Sequence, residues 1–448
     1  MNVIEKIFLI SLGCAKNLVD SEQMLGILKS CGFEMASNIE GAGIAIINTC
    51  GFIRTAVEES IDTILEAVTL KEQGKLSKVF VAGCFVQRYG YKLQREIPEV
   101  DGWLGTGEIH RVAEIIRLNN RGSTAPFFIG RPLYLPDHTI NRVQTDPFYS
   151  TYLKIAEGCS HRCSYCIIPG LRGPLRSRKL KSLVIEAEQM ADRGVVEINL
   201  IAQDTTIYGK DLEEDVCLED LIEALLKING IRWLRLLYCH PGNISERLLD
   251  IMDSEDVLCP YLDIPLQHVN VDILRAMKRE LTKETPLELI ERIRTGTRKI
   301  SIRTTLMVGF PGETDKKFKE LYDFVKLARF DHLGIFIFSS EKGIPAARLK
   351  PTVPYKEAEL RKNIIMSLQK GILKRKNRQL AGHTLPVLIE GLCSETDLLL
   401  RGRTQTMAPD VDDQVLINKG EGVTGKIMPV LITDAHAYDL IGEIKDSP

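Results

Sequence analysis

No run of about 18 consecutive apolar residues occurs in the 448-residue chain, which leaves no transmembrane helix to place. No internal repeats or low-complexity tracts interrupt it. Neither sign of charge dominates: 58 Lys and Arg stand against 60 Asp and Glu. The overall balance therefore neither favours nor excludes nucleic acid, and only a local patch can decide. The N-terminus, MNVIEKIFLISLGCAKN, has an apolar patch, but Glu5 comes early and no small-residue cleavage site follows. It is expected to be a first strand rather than a signal peptide. Eleven cysteines in a large chain without a secretion signal do not read as a disulfide framework. In a reducing cytosol such cysteines are metal ligands, catalytic thiols or small buried hydrophobes. What is present is ordinary globular material: 44% hydrophobic and 26% charged residues, enough for two to four domains at roughly 100–200 residues each.

Residues 5–118 alternate apolar runs (KIFLISLG, IAIINT, KVFVAG, DGWLGT) with helix-like segments at Asp20–Ser30, Thr55–Glu72 and Val86–Glu96. Continuous apolar strands alternating with helices predict a parallel, doubly wound α/β sheet. Residues 119–150 are rich in Pro, Gly and polar residues and are expected to be a linker. A second series begins at Thr151, with strands TYLKIAEG, VEINLIAQD, IRWLRLLYC, YLDIPLQ, SIRTTLMVGF and HLGIFIFS. Six βα units are too few for a closed eight-stranded barrel, so residues 151–380 are expected to form a partial (βα)6 barrel. A basic amphipathic helix is expected over Tyr355–Leu380, its charged face solvated along the barrel. Short strands with Gly-rich turns over 383–448 predict a small antiparallel β-barrel.

The segment GCSHRCSYCIIPGLRGPLRSR follows the first strand of the second series and spaces Cys159, Cys163 and Cys166 as C-x3-C-x2-C. Three thiolates on one loop can each bind a different iron of a cubic 4Fe–4S cluster, leaving the fourth iron without a protein ligand. That open corner suits S-adenosylmethionine (SAM), whose amino and carboxylate groups can chelate iron. The alternative is a structural zinc, but such a site closes with four protein ligands. His161 is awkwardly placed to be the fourth. The spacing, the aromatic Tyr165 before the last cysteine, and the position after strand one resemble the radical SAM signature. Gln203 and Asp204 end the second strand and are candidates to hydrogen-bond SAM's amino or ribose groups. Gly309, Phe310 and Gly312, in MVGFPGET at the end of the fifth strand, are candidates for adenine contact; a plain βα turn is the alternative. Arg172, Arg176 and Arg178 are either contacts for the SAM carboxylate or substrate, or a solvated basic loop.

Cys14, Cys50 and Cys84 each follow an apolar strand of the first series. In an open parallel sheet the C-terminal strand ends share one edge, so these three are expected to converge and hold a second cluster. Cys31, Cys217, Cys239, Cys259 and Cys393 lack this placement and are expected to be mostly small core residues, with Cys239 near a strand end.

Two three-cysteine sets followed by a small β-barrel resemble the methylthiotransferase family of radical SAM enzymes, over essentially the whole chain. The resemblance implies a flavodoxin-like N-terminal domain with an auxiliary 4Fe–4S cluster on Cys14, Cys50 and Cys84. It further implies a radical SAM domain with a cluster on Cys159, Cys163 and Cys166, and a C-terminal TRAM domain. It also implies that two SAM molecules are consumed: one methylates sulfur associated with the auxiliary cluster, the other generates the radical that removes a substrate hydrogen. An unactivated C–H bond offers no acidic proton, so a cofactor must supply such chemistry.

The motif SLGCAKNLVDSE and the stretch GRTQTMAPDVDDQV resemble the RimO branch, which modifies an aspartate of a ribosomal protein; the tRNA-modifying MiaB branch has GCQMN at the first place. Charge supports the same branch, since residues 383–448 carry five Lys and Arg against eleven Asp and Glu. A domain gripping phosphates should be basic. An acidic one should attract a basic ribosomal protein, unless that face is simply solvated. The expectation is a cytoplasmic methylthiotransferase of protein S-twelve of the small ribosomal subunit, a monomer served by a separate electron donor. A tRNA-adenosine methylthiotransferase and a non-catalytic iron–sulfur RNA-binding or electron-carrier protein are the alternatives.

Overall fold

The computed structural model describes residues 6–119, 125–145, 147–279 and 284–445. Glu5, residues 120–124 and Asp146 of the expected linker, and Asp446 of the acidic tally lie outside them.

The first five strands are β1 (Ile7–Ser11), β2 (Ile44–Thr49), β3 (Lys78–Gly83), β4 (Gly102–Leu104) and β5 (Phe127–Phe128), paired in that order and all parallel. Beyond β1, Met35 bridges to Ile7, with Ile7 N–H donating to Glu34 O and Ala36 N–H to Ile7 O, each at 2.8 Å. Counting that segment second in chain order gives the flavodoxin-like strand order 2-1-3-4-5. Both sheet faces are buried: Ile44 and Ile46 pack under helix α1 (Ala15–Ser30), while Ala45 and Ile47 pack under helix α2 (Arg54–Glu72). The uninterrupted apolar runs follow from that double burial.

The expected linker is not only a linker. Phe127–Phe128 adds a strand to the sheet, and Phe127 stacks 6.2 Å from Trp103. Further on, Arg142 is buried, its Nε donating to Glu22 Oε2 at 2.7 Å and its Nη1 to Tyr152 O at 2.6 Å.

The second sheet has β6 (Ser150–Lys154), β9 (Glu197–Ile201), β10 (Trp233–Leu236), β11 (Leu258–Asp263), β12 (Ser301–Val308) and β13 (His332–Ile337) in sequential parallel order. β6 and β13 are its unpaired edges, so the barrel is open. A short antiparallel pair, β7 (Ala156–Glu157) with β8 (Arg176–Ser177), closes the base of the loop carrying Cys159, Cys163 and Cys166. The helix Tyr355–Arg378 packs on this domain through Ile365, Ile372 and Leu373.

The last strands, β14 (Thr384–Cys393), β15 (Thr396–Thr404), β16 (Gln414–Lys419), β17 (Ile427–Ala435) and β18 (Asp439–Ile444), form a closed barrel. It departs from a purely antiparallel barrel in one pair, since β16 and β18 run parallel. No helix among the described residues is long and apolar enough to cross a membrane.

Candidate functional site

Cys14, Cys50 and Cys84 follow β1, β2 and β3, and their loops meet at one sheet edge. Gly13, at φ +91°, makes the approach possible: a Cβ there would lie 2.8 Å from Cys50 Cβ. Asn17 ties the loops together, its Nδ2 donating to Leu12 O at 2.8 Å and Thr49 O at 3.1 Å, and its Oδ1 lying 4.0 Å from Cys84 Sγ. Cys14 is the N-cap of α1. It is accessible at its surface, yet protein atoms crowd around the thiol. Burial pushes its thiol up, but Lys16, Arg172 and the first-turn amides of Asn17 and Lys16 together hold it below the ordinary thiol value. Burial drives Cys84 the other way, to about 11, against the pull of Arg172. The negative charges of Cys14 and Cys50 raise Cys84 further, so the three thiols feel one another.

The second set lies on the loop after β7. Cys159 N–H donates to Gly173 O at 3.0 Å, and Ser164 N–H to Met277 O at 2.9 Å, which fixes both ends of the loop. Arg279, not anticipated from sequence, donates from Nη1 to Cys163 Sγ at 3.8 Å while its Nη2 holds Pro265 O at 2.6 Å. Burial pushes Cys166 up to about 12, helped by Cys163 and Cys159. Among the described residues no three His, Cys, Asp or Glu side chains gather tightly enough to share a single metal ion.

The strand-end residues divide. Gln203 Nε2 donates to Glu157 Oε1 at 2.7 Å, leaving its buried Oε1 without a partner. Asp204 is already committed, its Oδ2 to His161 Nε2 at 2.6 Å and its Oδ1 to Thr206 N–H at 2.9 Å. His161 in turn stacks on His240 with ring centroids 4.4 Å apart. Burial, then Arg279 and His161, push His240 down to about 3, so it is neutral. Tyr165 is half-buried against an apolar cluster that includes Ile273, Met277 and the fully buried Phe310. Phe310 thus packs in a core. Gly309 and Gly312 form a braced turn, with Gly309 N–H donating to Glu313 Oε2 at 3.0 Å and Gly312 N–H to Pro351 O at 2.8 Å.

The arginines after the cysteine loop are not a solvated basic loop: Arg172 and Arg178 are buried, and Arg176 is half-buried with its Nε unpartnered. Arg172 is buried, with Nη1 at 2.6 Å from Asp20 Oδ2 and Nη2 at 2.7 Å from Asn17 Oδ1. Lys154, also buried, pairs with Asp20 and, at 2.8 Å, with Glu157 Oε2. Two cations and two carboxylates thereby lock α1 of the first domain to β6 and β7 of the second. Arg178 pairs with Glu186 and bonds Lys154 O, and Arg176 bonds the carbonyls of Pro174 and Arg172. Sequence offers only a faint sign of this network, in Lys154, which interrupts an otherwise apolar run. Of the remaining cysteines, Cys239, Cys259 and Cys393 are buried, but Cys31 is exposed and Cys217 half-exposed, so those two are not core residues.

The C-terminal barrel docks on the face of the central sheet opposite its helices, where Trp233 and Tyr261 meet Leu388 and Ala408. Glu197 of β9, fully buried, takes Arg403 of β15 at 2.6 Å and Arg235 of β10 at 2.9 Å. Asp412 pairs with Arg303 and accepts from Tyr261 Oη at 2.6 Å. Part of the barrel's acidity therefore serves docking rather than solvent.

The comparisons with known proteins agree with this architecture. Residues 6–105 match the uncharacterized protein family UPF0004, residues 153–325 the radical SAM superfamily, and residues 381–444 the TRAM domain. A protein of Syntrophotalea carbinolica called ribosomal protein uS12 methylthiotransferase RimO is 48% identical over 441 residues, covering 98% of this chain and 97% of its own. One of the same name from Pelobacter propionicus is 46% identical over 442 residues, covering 99% and 98%. Among solved structures, the radical SAM methyltransferase TsrM of Kitasatospora setae, with cobalamin and a 4Fe–4S cluster bound, superposes with a TM-score of 0.56 at 15% identity, covering 75% of this chain and 72% of its own. That likeness concerns the fold.

Proposed function

The chain belongs to the family of ribosomal protein uS12 methylthiotransferases, radical SAM enzymes with a TRAM domain, and we propose that it adds a methylthio group to the β-carbon of an aspartate in that protein. The observation that carries the reading is geometric. Two separate sets of three cysteines lie on the facing strand-end edges of two α/β domains, and a buried charge network welds those edges together.

The donor sets fit the groups assigned to them. Cys159, Cys163 and Cys166 would hold one 4Fe–4S cluster, and Cys14, Cys50 and Cys84 the second, each set leaving an iron without a protein ligand. When bound, these clusters and SAM supply the radical and the sulfur chemistry that no side chain can. The chain's own residues do the rest. Gln203 offers an unpaired buried carbonyl oxygen, which fits an ammonium or hydroxyl donor of SAM. Asp204 orients His161 over the loop rather than reaching for ligand, and Arg279 places a positive charge beside Cys163. Asn17 and Arg172 fix the first set relative to the second, which matters because small misplacements of reacting groups cost rate steeply. The site of action is the cytoplasm, and the electrons come from a separate donor.

Mass spectrometry of uS12 and of tRNA nucleosides from a strain lacking this protein tests the substrate. The expected result is a uS12 lighter by one methylthio group with unchanged tRNA nucleosides. A methylthio loss confined to tRNA would overturn the reading.

A further inference from the structure

Most buried cations in this protein have carboxylate partners. Lys154 has Asp20 and Glu157, Arg172 has Asp20, Arg235 has Glu197, and Arg361 has Glu313. Lys16 does not. It is only 9% exposed, yet it makes no ion pair among the described residues. Its Nζ has one long hydrogen bond, 3.4 Å to Ala202 O, and sits 3.3 Å from the centroid of the Tyr238 ring. A carbonyl at that distance and one π-face leave most of the ammonium's donor capacity unmet, and a buried charge so placed is costly unless something completes it.

The surroundings give the position meaning. Lys16 is two residues past Cys14 in the first turn of α1. Ala202 immediately precedes Gln203 and Asp204 beyond β9, and Tyr238 lies just beyond β10. The ammonium is therefore at the seam between the two cysteine sets. Tyr238 is held there at a cost: its φ of 60° is left-handed, rare for a bulky residue, and such backbone persists where the surroundings impose it. Its N–H donates to Asp263 Oδ2 at 3.3 Å and its carbonyl accepts from Thr205 N–H at 3.1 Å. Asp263, the carboxyl whose charge Lys16 influences, accepts from that amide through Oδ2, while its buried Oδ1 lies 3.8 Å from Arg303 and has no hydrogen-bond partner.

We propose that Lys16 is the receptor for a carboxylate of the substrate, and so a determinant of specificity for an acidic side chain. The inference rests on the function proposed above and deepens it. In an aspartate the β-carbon is bonded directly to the carboxyl carbon. A cation gripping the carboxylate therefore places that carbon between the two cysteine sets, and the Tyr238 ring and Ala202 carbonyl keep the ammonium aimed. SAM also carries a carboxylate, so the test must separate the two sources.

The test uses the full, iron-loaded chain as wild type, Lys16→Met, Lys16→Gln and Lys16→Arg. Each is assayed for binding of fluorescently labelled uS12 carrying either the target aspartate or asparagine in its place, with iron content, SAM affinity and 5′-deoxyadenosine formation recorded in parallel. The wild type should favour the aspartate form by about 10–100-fold, as befits a charged hydrogen bond. Lys16→Met and Lys16→Gln should bring that ratio close to one with iron content and 5′-deoxyadenosine formation intact, and Lys16→Arg should keep part of it. A wild-type ratio retained in Lys16→Met or Lys16→Gln overturns the proposal. So does an unchanged ratio accompanied by weakened SAM binding, which would assign Lys16 to SAM. A wild type that binds uS12 with this preference but never methylthiolates it would contradict the underlying function instead.

Discussion

At the scale of single residues, the decisive groups are those whose charge is buried. Arg172 illustrates how far sequence can carry. Its position after the cysteine loop made ligand contact or a solvated loop the natural readings, yet it bridges Asp20 and Asn17 across the domain boundary. One-dimensional spacing cannot show a partner 152 residues away. Replacing it, as in Arg172→Met, leaves Asp20 and Glu157 to share the single cation of Lys154, and breaking one side of a buried pair costs roughly 3–5 kcal/mol. Urea denaturation should show that loss, whereas an unchanged midpoint would mean the network is dispensable. Asp413 gives a pH-dependent case. Burial, then Asp412 and Asp439, push its carboxyl up to about 8. Since the folded value exceeds the unfolded one, the folded chain binds the extra proton, and stability attributable to Asp413 falls as pH rises from about 4 to about 8. Asp413→Asn should therefore have little effect on the melting temperature near pH 4 and raise it at pH 8. Equal effects at both pH values would refute the assignment.

At the scale of elements, strands were the most legible feature. Four of the six central strands and the first four of the N-terminal sheet lie within the apolar runs that announce them; β6 begins one residue before its run, at Ser150, and β11 three residues before, at Leu258. Both sheets are parallel and largely buried on both faces, so their strands read as apolar runs, broken in the central sheet by buried Lys154, Glu197, Asn199 and Arg235. Phe127–Phe128 was not legible because two residues in a Pro- and Gly-rich stretch carry no periodicity. The parallel β16–β18 pair was hidden for another reason: strand direction in a barrel depends on closure, not on local pattern. The seat of the C-terminal barrel, Glu197 between Arg403 and Arg235, was also invisible, because Glu197 reads as the polar start of a strand. Removing the Arg403 charge with Arg403→Leu should leave Glu197 half-paired and loosen the barrel. Limited proteolysis should then cut near residues 379–383 faster than in the wild type, and an unaltered cleavage pattern would show that docking does not depend on this pair.

At the scale of the whole molecule, the three domains divide the work. The order along the chain, a parallel α/β domain, the radical SAM domain and the TRAM barrel, was readable from the apolar runs and the change in strand spacing. The way the first two domains face each other was not, because it depends on the contacts of Arg172, Lys154 and Arg142. That facing arrangement is the core of the proposed function, since it allows two cysteine sets to serve one substrate carbon. The acidic barrel contributes in a narrower way than its composition suggests: Glu390 and Asp412 are spent on Arg403 and Arg303, Asp410 accepts from Tyr152 Oη, and Glu443 lies 3.8 Å from Lys419. The most direct test is the mass spectrum of uS12 after incubation with SAM, reductant and iron-loaded protein, comparing wild type with Cys14→Ala. The wild type should add one methylthio group to a single aspartate, while Cys14→Ala should add none although it still forms 5′-deoxyadenosine. Full methylthiolation by Cys14→Ala, or none by an iron-replete wild type, would contradict the two-cluster account.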